Sequence, residues 1–276
     1  MPIDVPCGQC TGCRLEHSRK WAVRCLHEAQ MHEDNCFITL TYCDEKLPEN
    51  NTLVKEHFQK FMKRVRRKYG KKIKYYACGE YGEETQRPHY HACLFGLDFE
   101  DKILFKEQDG NRLYISDELQ KLWTDPADKK EYGFCTIGEV NFETAAYVAR
   151  YCMKKRKGKN WEEHYQKMNL ETGELFMLQP EFPLMSRNPG IGKEWFEKYG
   201  EEVYPSDSVI CRGHEMKPPK YYDNLLEKDN PNKIEEIRAL RNKLRKKAAH
   251  DNTLARLHVK RIVKDSQIKT LKRSLE

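Results

Sequence analysis

No stretch of the chain approaches the roughly eighteen consecutive apolar residues that a membrane-spanning helix requires, so no membrane helix is indicated. The opening MPIDVPCGQCTGC lacks a basic stretch followed by an apolar core, which predicts that there is no secretory leader. Internal repeats are absent, which argues against solenoids and propellers, and so are low-complexity tracts. Without a leader, the 11 cysteines fit a disulfide framework poorly. Metal ligation, or reduced thiols in a core, fits them better. These absences point to a protein that works in the cytoplasm where it is made.

The chain has 276 residues with 38% hydrophobic and 34% charged residues, enough apolar material for one large domain or a domain with an appendage. The formal charge of +7 is unevenly placed. Residues 233–276 hold 14 Lys/Arg against 5 Asp/Glu, so the rest of the chain is slightly acidic. A smaller basic cluster, KRVRRK, spans Lys63–Lys68. Concentrated positive charge suits a polyanion, most simply nucleic acid, although a solvated helix surface would read the same way.

The hydrophobic pattern predicts the elements. HSRKWAVRCLHEAQMHE (His17–Glu33) shows an irregular helical stripe through Trp21, Val23, Leu26, Ala29 and Gln30. CFITLTY (Cys36–Tyr42) reads as a strand with Phe37, Thr39 and Thr41 on one face. Val54–Gly70 reads as a helix whose apolar side is Val54, Phe58, Phe61, Met62 and Val65, with Gly70 at the C-cap. Lys72–Gly82 and Arg87–Gly96 form two strands joined by the short turn EETQ, a hairpin. Residues 98–132 read as an insertion of charged turns with a short helix from about Ser116. A fourth strand, Tyr132–Val140, leads to Asn141, which caps a helix over Phe142–Lys155. Beyond it only KEWFEKYG and the basic segment from Pro231, with Ile234, Ile237, Leu240 and Leu244 on one side, look helical.

This order predicts an α+β fold: an antiparallel sheet covered by helices on one face, with a basic helical C-terminal extension. It divides the chain into a Cys-rich segment 1–35, a core 36–156 with its insertion at 98–132, an extension 157–230, and a basic tail 231–276.

Within RPHYHACLFG, His89 and His91 are two apart in a strand and so share a face, with Tyr90 on the other. Two adjacent imidazoles can share a divalent cation. A third ligand would come from the partner arm of the hairpin, where Glu80 stands, with Glu83 as a nearby alternative. One carboxylate with two imidazoles suits Mg2+ or Mn2+ if water and substrate oxygens complete the shell. A lone His-x-His is equally a structural hydrogen-bonder beside an exposed histidine, so its weight depends on what faces it.

Further along the chain stands AAYVARYCMKK. Tyr147 and Tyr151 are one helical turn apart and share a face, with Lys154 on the same side. A tyrosine hydroxyl can act as a nucleophile if a neighbouring cation or base eases loss of its proton. Aromatic residues at helical spacing also pack in cores, and for this pair alone packing is the commoner role. At the N-terminus, Cys7, Cys10 and Cys13 have the C-x2-C-x2-C spacing of metal ligands. Structural Zn2+ is one occupant, with Cys25, Cys43 or His17 as a fourth ligand. Reduced, unligated thiols are the other reading. An iron–sulfur cluster is less favoured, because the usual fourth cysteine and proline are missing.

Taken in order, FITLTY, RPHYH and YVARYCMK resemble the three motifs of the HUH endonucleases, which initiate rolling-circle replication. PCGQCTGCR, CGEYG, SRNPGIGKEWFEKYG and KPPKYYDNLLEK extend the likeness to the replication initiation proteins of gokushovirus-type microviruses, over most of residues 6–228. The resemblance implies nicking of one strand at a phage origin, with a tyrosine joined to the new 5′ end and a 3′-OH released for host synthesis. It implies His89, His91 and Glu80 as metal ligands, Tyr147 and Tyr151 as nucleophiles, Lys154 as the assisting lysine, and a mainly structural part for Thr39 and Thr41. Single-stranded and origin DNA are the implied partners, with a host helicase as a further one and the host bacterial cytoplasm as the location. Stacking of bases is expected on Tyr75, Tyr76 or Tyr81, and phosphate contacts on helix 55–69. Other readings are a non-catalytic DNA-binding module, or another HUH enzyme such as a plasmid initiator, relaxase or transposase.

Overall fold

The computed structural model describes residues 6–70, 72–108, 110–151, 161–169 and 172–269. It opens with helix α1 (Thr11–Ala29), then strand β1 (Asn35–Leu40), helix α2 (Lys55–Tyr69), and the hairpin of β2 (Lys74–Tyr81) and β3 (Pro88–Phe95). Strands β4 (Ile103–Gln108) and β5 (Asn111–Ile115) come next, then α3 (Asp117–Leu122), β6 (Cys135–Gly138) and α4 (Phe142–Tyr151). Further on come α5 (Trp161–Tyr165), the small hairpin β7 (Gln166–Met168) and β8 (Leu175–Met177), and β9 (Phe182–Met185). The C-terminal part holds α6 (Lys193–Ser206), the hairpin β10 (Val209–Cys211) and β11 (His214–Met216), α7 (Lys220–Asp229), α8 (Pro231–Lys247) and α9 (Leu254–Lys269).

The fold is α+β, as the hydrophobic pattern predicts. Seven strands form one antiparallel sheet in the order β4-β5-β6-β1-β3-β2-β9. Local chemistry sets the expected helix limits. Asn141 Oδ1 accepts from the Thr144 amide at 2.8 Å while Thr144 Oγ1 accepts from the Asn141 amide at 2.9 Å, a reciprocal cap on α4. Gly70 ends α2 at φ 113°, a conformation few side-chain-bearing residues adopt.

Helices cover both faces of the sheet, a correction to the single covered face read from the sequence. On one side α2 and α3 pack Phe58, Phe61, Val65 and Leu119 against Ile38, Leu40, Tyr90, Ala92 and Leu94. On the other, α1 and α4 pack Ala22, Ala145 and Val148 against Phe37, Tyr76, Cys93 and Phe95. Alternate residues of β3 therefore belong to opposite cores, and its whole length is buried. Tyr90 faces α2, as predicted, and the two histidines face α4.

The outer side of α1 is also buried. Val23 joins Phe196, Val203, Tyr222, Ile234 and Ile237 in a third core built by α6, α7 and α8. His27 lies at a centroid distance of 3.5 Å from Trp195, and its Nδ1 is 2.8 Å from the Tyr222 hydroxyl. Glu28, fully buried, accepts from the Gly192 amide at 2.6 Å and pairs with Lys74 at 2.7 Å. Arg241 clamps α8 to this unit through Asp207 and Asp223. The apolar stripe expected on α8 is only half used: Ile234 and Ile237 are buried, whereas Leu240 and Leu244 are exposed. Among the described residues, no helix is long and apolar enough to cross a membrane.

The structure adds elements that the hydrophobic reading lacks, among them α5, α7 and the hairpins β7–β8 and β10–β11. Residues 98–132 carry the β4–β5 hairpin, which extends the main sheet through β5 and β6. The short strand β9, absent from the hydrophobic reading, forms the opposite edge against β2.

Candidate active site

The hairpin register sets Glu80 directly opposite His89, and His91 opposite both Cys78 on β2 and Thr39 on β1. Side chains at directly opposed positions of neighbouring strands lie close on one face. Glu80, His89 and His91 therefore converge beneath α4, each less than a tenth exposed. His89 Nε2 and His91 Nε2 lie 3.0 and 3.1 Å from the same oxygen, Glu80 Oε1. The Tyr147 hydroxyl reaches that oxygen from α4 and donates to it at 3.3 Å. Its ring stands edge-on to His91, 4.9 Å between centroids.

The far nitrogens of both imidazoles are held from behind. His89 Nδ1 donates to the Arg87 carbonyl at 3.1 Å, and His91 Nδ1 is 2.9 Å from Thr39 Oγ1. The His91 ring also stacks on Phe37, 5.5 Å apart and nearly parallel. Since a carbonyl can only accept, His89 carries its proton on Nδ1 and aims Nε2 at the carboxylate. Two electron-rich atoms 3.0 Å apart need a positive charge between them, either a proton that makes His89 a cation or a metal ion. Burial pushes the Glu80 carboxyl up, but His89 and His91 outweigh it and hold the group down at about 2. Glu80 Oε2 is buried with no hydrogen-bond partner among the described residues.

This donor set fits a divalent cation. The three ligand atoms lie within 4.8 Å of one another, one carboxylate and two imidazoles. Partners on the outer nitrogens orient both rings, as metal-bound histidines require. Glu83 stands in the exposed turn, outside this cluster. Of the residues singled out from the motifs, Glu80, His89, His91 and Tyr147 come together. Tyr151 is the last residue of α4, one turn beyond Tyr147, and its side chain is outside the described set. Lys154 lies outside the described residues.

Thr39 has a more specific place than its strand pattern shows: the alternation marks its face but not the hydrogen bond to His91. The expected base-stacking tyrosines need correcting. Tyr76 is fully buried and stacks on Trp21 at 4.3 Å, Tyr81 is buried with its hydroxyl on the Gln179 carbonyl, and Tyr75 packs against Phe58. Helix α2 covers the sheet face opposite the site. Its Arg64 and Arg66 donate to the Leu122 and Ile73 carbonyls. The large aromatic pair that solvent does reach is Phe105 on β4 with Phe134 just before β6, 5.2 Å between centroids and each about half exposed.

The family model for replication-associated protein ORF2/G2P matches residues 35–156, which contain every residue of this cluster. Replication-associated protein ORF2 of Spiroplasma virus 4 is 36% identical over 240 residues, covering 82% of this chain and 68% of that protein. Replication-associated protein VP4 of Bdellovibrio phage phiMH2K is 33% identical over 238 residues, covering 83% and 69%. Replication-associated protein ORF4 of Chlamydia phage 1 is 28% identical over 255 residues, covering 88% of this chain and 59% of that protein. No solved structure matches. The site thus sits in the segment that the family model matches, and the chain belongs to the family of phage replication-associated proteins.

Proposed function

We propose that the chain initiates rolling-circle replication by nicking one strand of phage origin DNA through attack of a tyrosine, then rejoins the strand. The observation that carries this reading is the meeting of a nucleophile candidate and a ligand set at one atom: the Tyr147 hydroxyl, His89 Nε2 and His91 Nε2 all lie within 3.3 Å of Glu80 Oε1. Tyr147 or Tyr151 attacks the scissile phosphorus. The bond to the 3′ oxygen breaks, a 5′-phosphotyrosine forms, and a 3′-OH leaves. The other tyrosine, one turn away on α4, would cleave again after a round of synthesis. A divalent cation held by Glu80, His89 and His91, Mg2+ or Mn2+, would polarise the phosphodiester. Arg87 and Thr39 keep both imidazoles aimed at that position, and Glu80 accepts the Tyr147 hydroxyl hydrogen bond. Lys154 is assigned the assisting role by its motif.

Single-stranded DNA would stack on Phe105 and Phe134, which lie at the β4–β5–β6 end of the sheet. Phe134 is two residues before Thr136, and Thr136 sits opposite Thr39. The test is incubation with single-stranded origin oligonucleotide and Mn2+. Wild type is expected to give a protein–DNA adduct that survives denaturation, and the Tyr147→Phe/Tyr151→Phe double variant none. Equal adduct from both proteins would remove the tyrosines from the mechanism, and nicking by a His89→Ala/His91→Ala variant at the wild-type rate would remove the metal role.

A further inference from the structure

At the start of α1 three thiols are gathered with no task in the DNA chemistry. Cys7, Cys10 and Cys13 have their sulfurs within 4.8 Å of one another, and Cys7 Sγ and Cys13 Sγ are 3.9 Å apart. A tetrahedral zinc with Zn–S bonds of about 2.3 Å separates its sulfurs by about 3.8 Å. A disulfide would bring two of them to about 2.05 Å, and none is formed.

The backbone is shaped for thiolates. Gly8 adopts φ 73°, which folds the chain so that the Cys10 amide donates to Cys7 Sγ at 3.3 Å. Three crowded sulfurs cannot all ionise without a cation among them. Cys10 is also the N-cap of α1 and makes no side-chain capping bond, so an ion held by its thiolate would tie down this helix start.

A closed structural zinc site needs a fourth donor. His17 stands four residues after Cys13, on the same face of α1, and is exposed. Its ring stands 6.4 Å from that of Trp21 and outside the thiol cluster, and a rotation of the side chain would bring it to an ion held one turn away. Cys25 is buried in the core beside Cys93, and Cys43 sits by Tyr132 of the core on the other face of the sheet.

We propose that Cys7, Cys10, Cys13 and His17 form a Cys3His site for one structural Zn2+, which fixes the first turn of α1. The proposal is independent of the nuclease reading. It is tested in the full chain carrying His89→Ala and His91→Ala, which removes the ligand set beneath α4, while the thiolate absorption below distinguishes this site from the carboxylate–imidazole group Glu28, His32 and Glu194. The protein should purify with one zinc per chain. Replacing zinc by Co2+ should produce intense thiolate-to-cobalt charge-transfer absorption. His17→Gln, at an exposed position that should leave folding intact, should raise the Kd for Co2+ about 100-fold or more, at least what loss of an outer-shell partner costs. Cys10→Ser, which leaves two of the three thiolates, should weaken the charge-transfer band and lower the affinity for Co2+, and an unchanged band would overturn Cys10 as a ligand. Protein without zinc that also shows no thiolate band on Co2+ titration would overturn the site. A brown protein with acid-labile sulfide would replace it with an iron–sulfur cluster, and unchanged Co2+ binding in His17→Gln would overturn the fourth ligand.

Discussion

Thr39 Oγ1 and His91 Nδ1 face each other across the β1–β3 ladder at 2.9 Å, joining the first strand to the histidine pair. That bond holds the imidazole with Nε2 toward Glu80. Thr39→Val keeps the shape of the side chain and removes the hydroxyl. It should weaken Mn2+ binding by about 10- to 100-fold, as loss of an outer-shell partner does elsewhere. Calorimetric titration with Mn2+ measures this, and Thr41→Val, whose hydroxyl donates to the Phe134 carbonyl instead, serves as the control. Equal affinities in both variants would return Thr39 to a purely structural role.

Phe105→Ala/Phe134→Ala removes two exposed rings and should leave the unfolding midpoint nearly unchanged. Binding of single-stranded DNA should weaken by about 1–3 kcal/mol for each base that stacks. Fluorescence anisotropy with a labelled oligonucleotide reads the change. A variant that binds as tightly as wild type would place the strand elsewhere on the molecule.

The Ser18 hydroxyl donates to the Ala146 carbonyl at 2.7 Å, a buried bond from α1 to the residue before Tyr147. Ser18→Ala leaves that link unmade and should cost about 1–3 kcal/mol in urea unfolding. No loss of stability would mean that α4 is held by packing alone.

Acid should weaken the protein through His27. Burial between Trp195 and Tyr222 lowers its pKa to about 3, well under the 6.5 of an unfolded histidine. Between these values the unfolded chain binds a proton that the folded chain refuses. The stabilisation is therefore complete above about pH 6.5 and is lost as pH falls toward 3, with a limiting slope of about 1.4 kcal/mol per unit from this residue. Unfolding free energies of wild type and His27→Gln across pH 4–7 should converge as pH falls. Parallel curves would show that other groups govern the acid limb.

Much of the site was legible because a hairpin with a short polar turn leaves little freedom of register. Once the Lys72–Gly82 and Arg87–Gly96 segments pair, Glu80 must fall close to His89. The Tyr147 contact was less legible, because helical spacing shows which residues share a face and not what the face covers. The second covered face of the sheet was hidden for a related reason. Histidine, threonine and glutamate on that side of β1–β3 look solvent-facing in the sequence, yet Glu80, His89 and His91 are buried and Thr39 half-buried beneath α4. Strand β9 has four residues, one of them Pro183, too short and too irregular for an alternation signal, and it sits at an edge where proline is tolerated. The tail charge was plain in the sequence, but the grip of Arg241 on Asp207 and Asp223 needed three separated segments brought together.

Helix α1 is a wall shared by two cores, with Tyr76 and Ala145 on one side and Phe196 and Tyr222 on the other. The order of synthesis makes this costly. The helix leaves the ribosome before these partners, and Tyr222 emerges about 200 residues later, roughly 10 to 40 seconds at ordinary rates of elongation. Until then the surface around Val23 has no partner, and the brace from Ser18 to α4 rests on a helix held from one side only. The third core thus closes only after Tyr222 has emerged, and a copy terminated before it would carry Glu80, His89, His91 and Tyr147 on an unsupported frame.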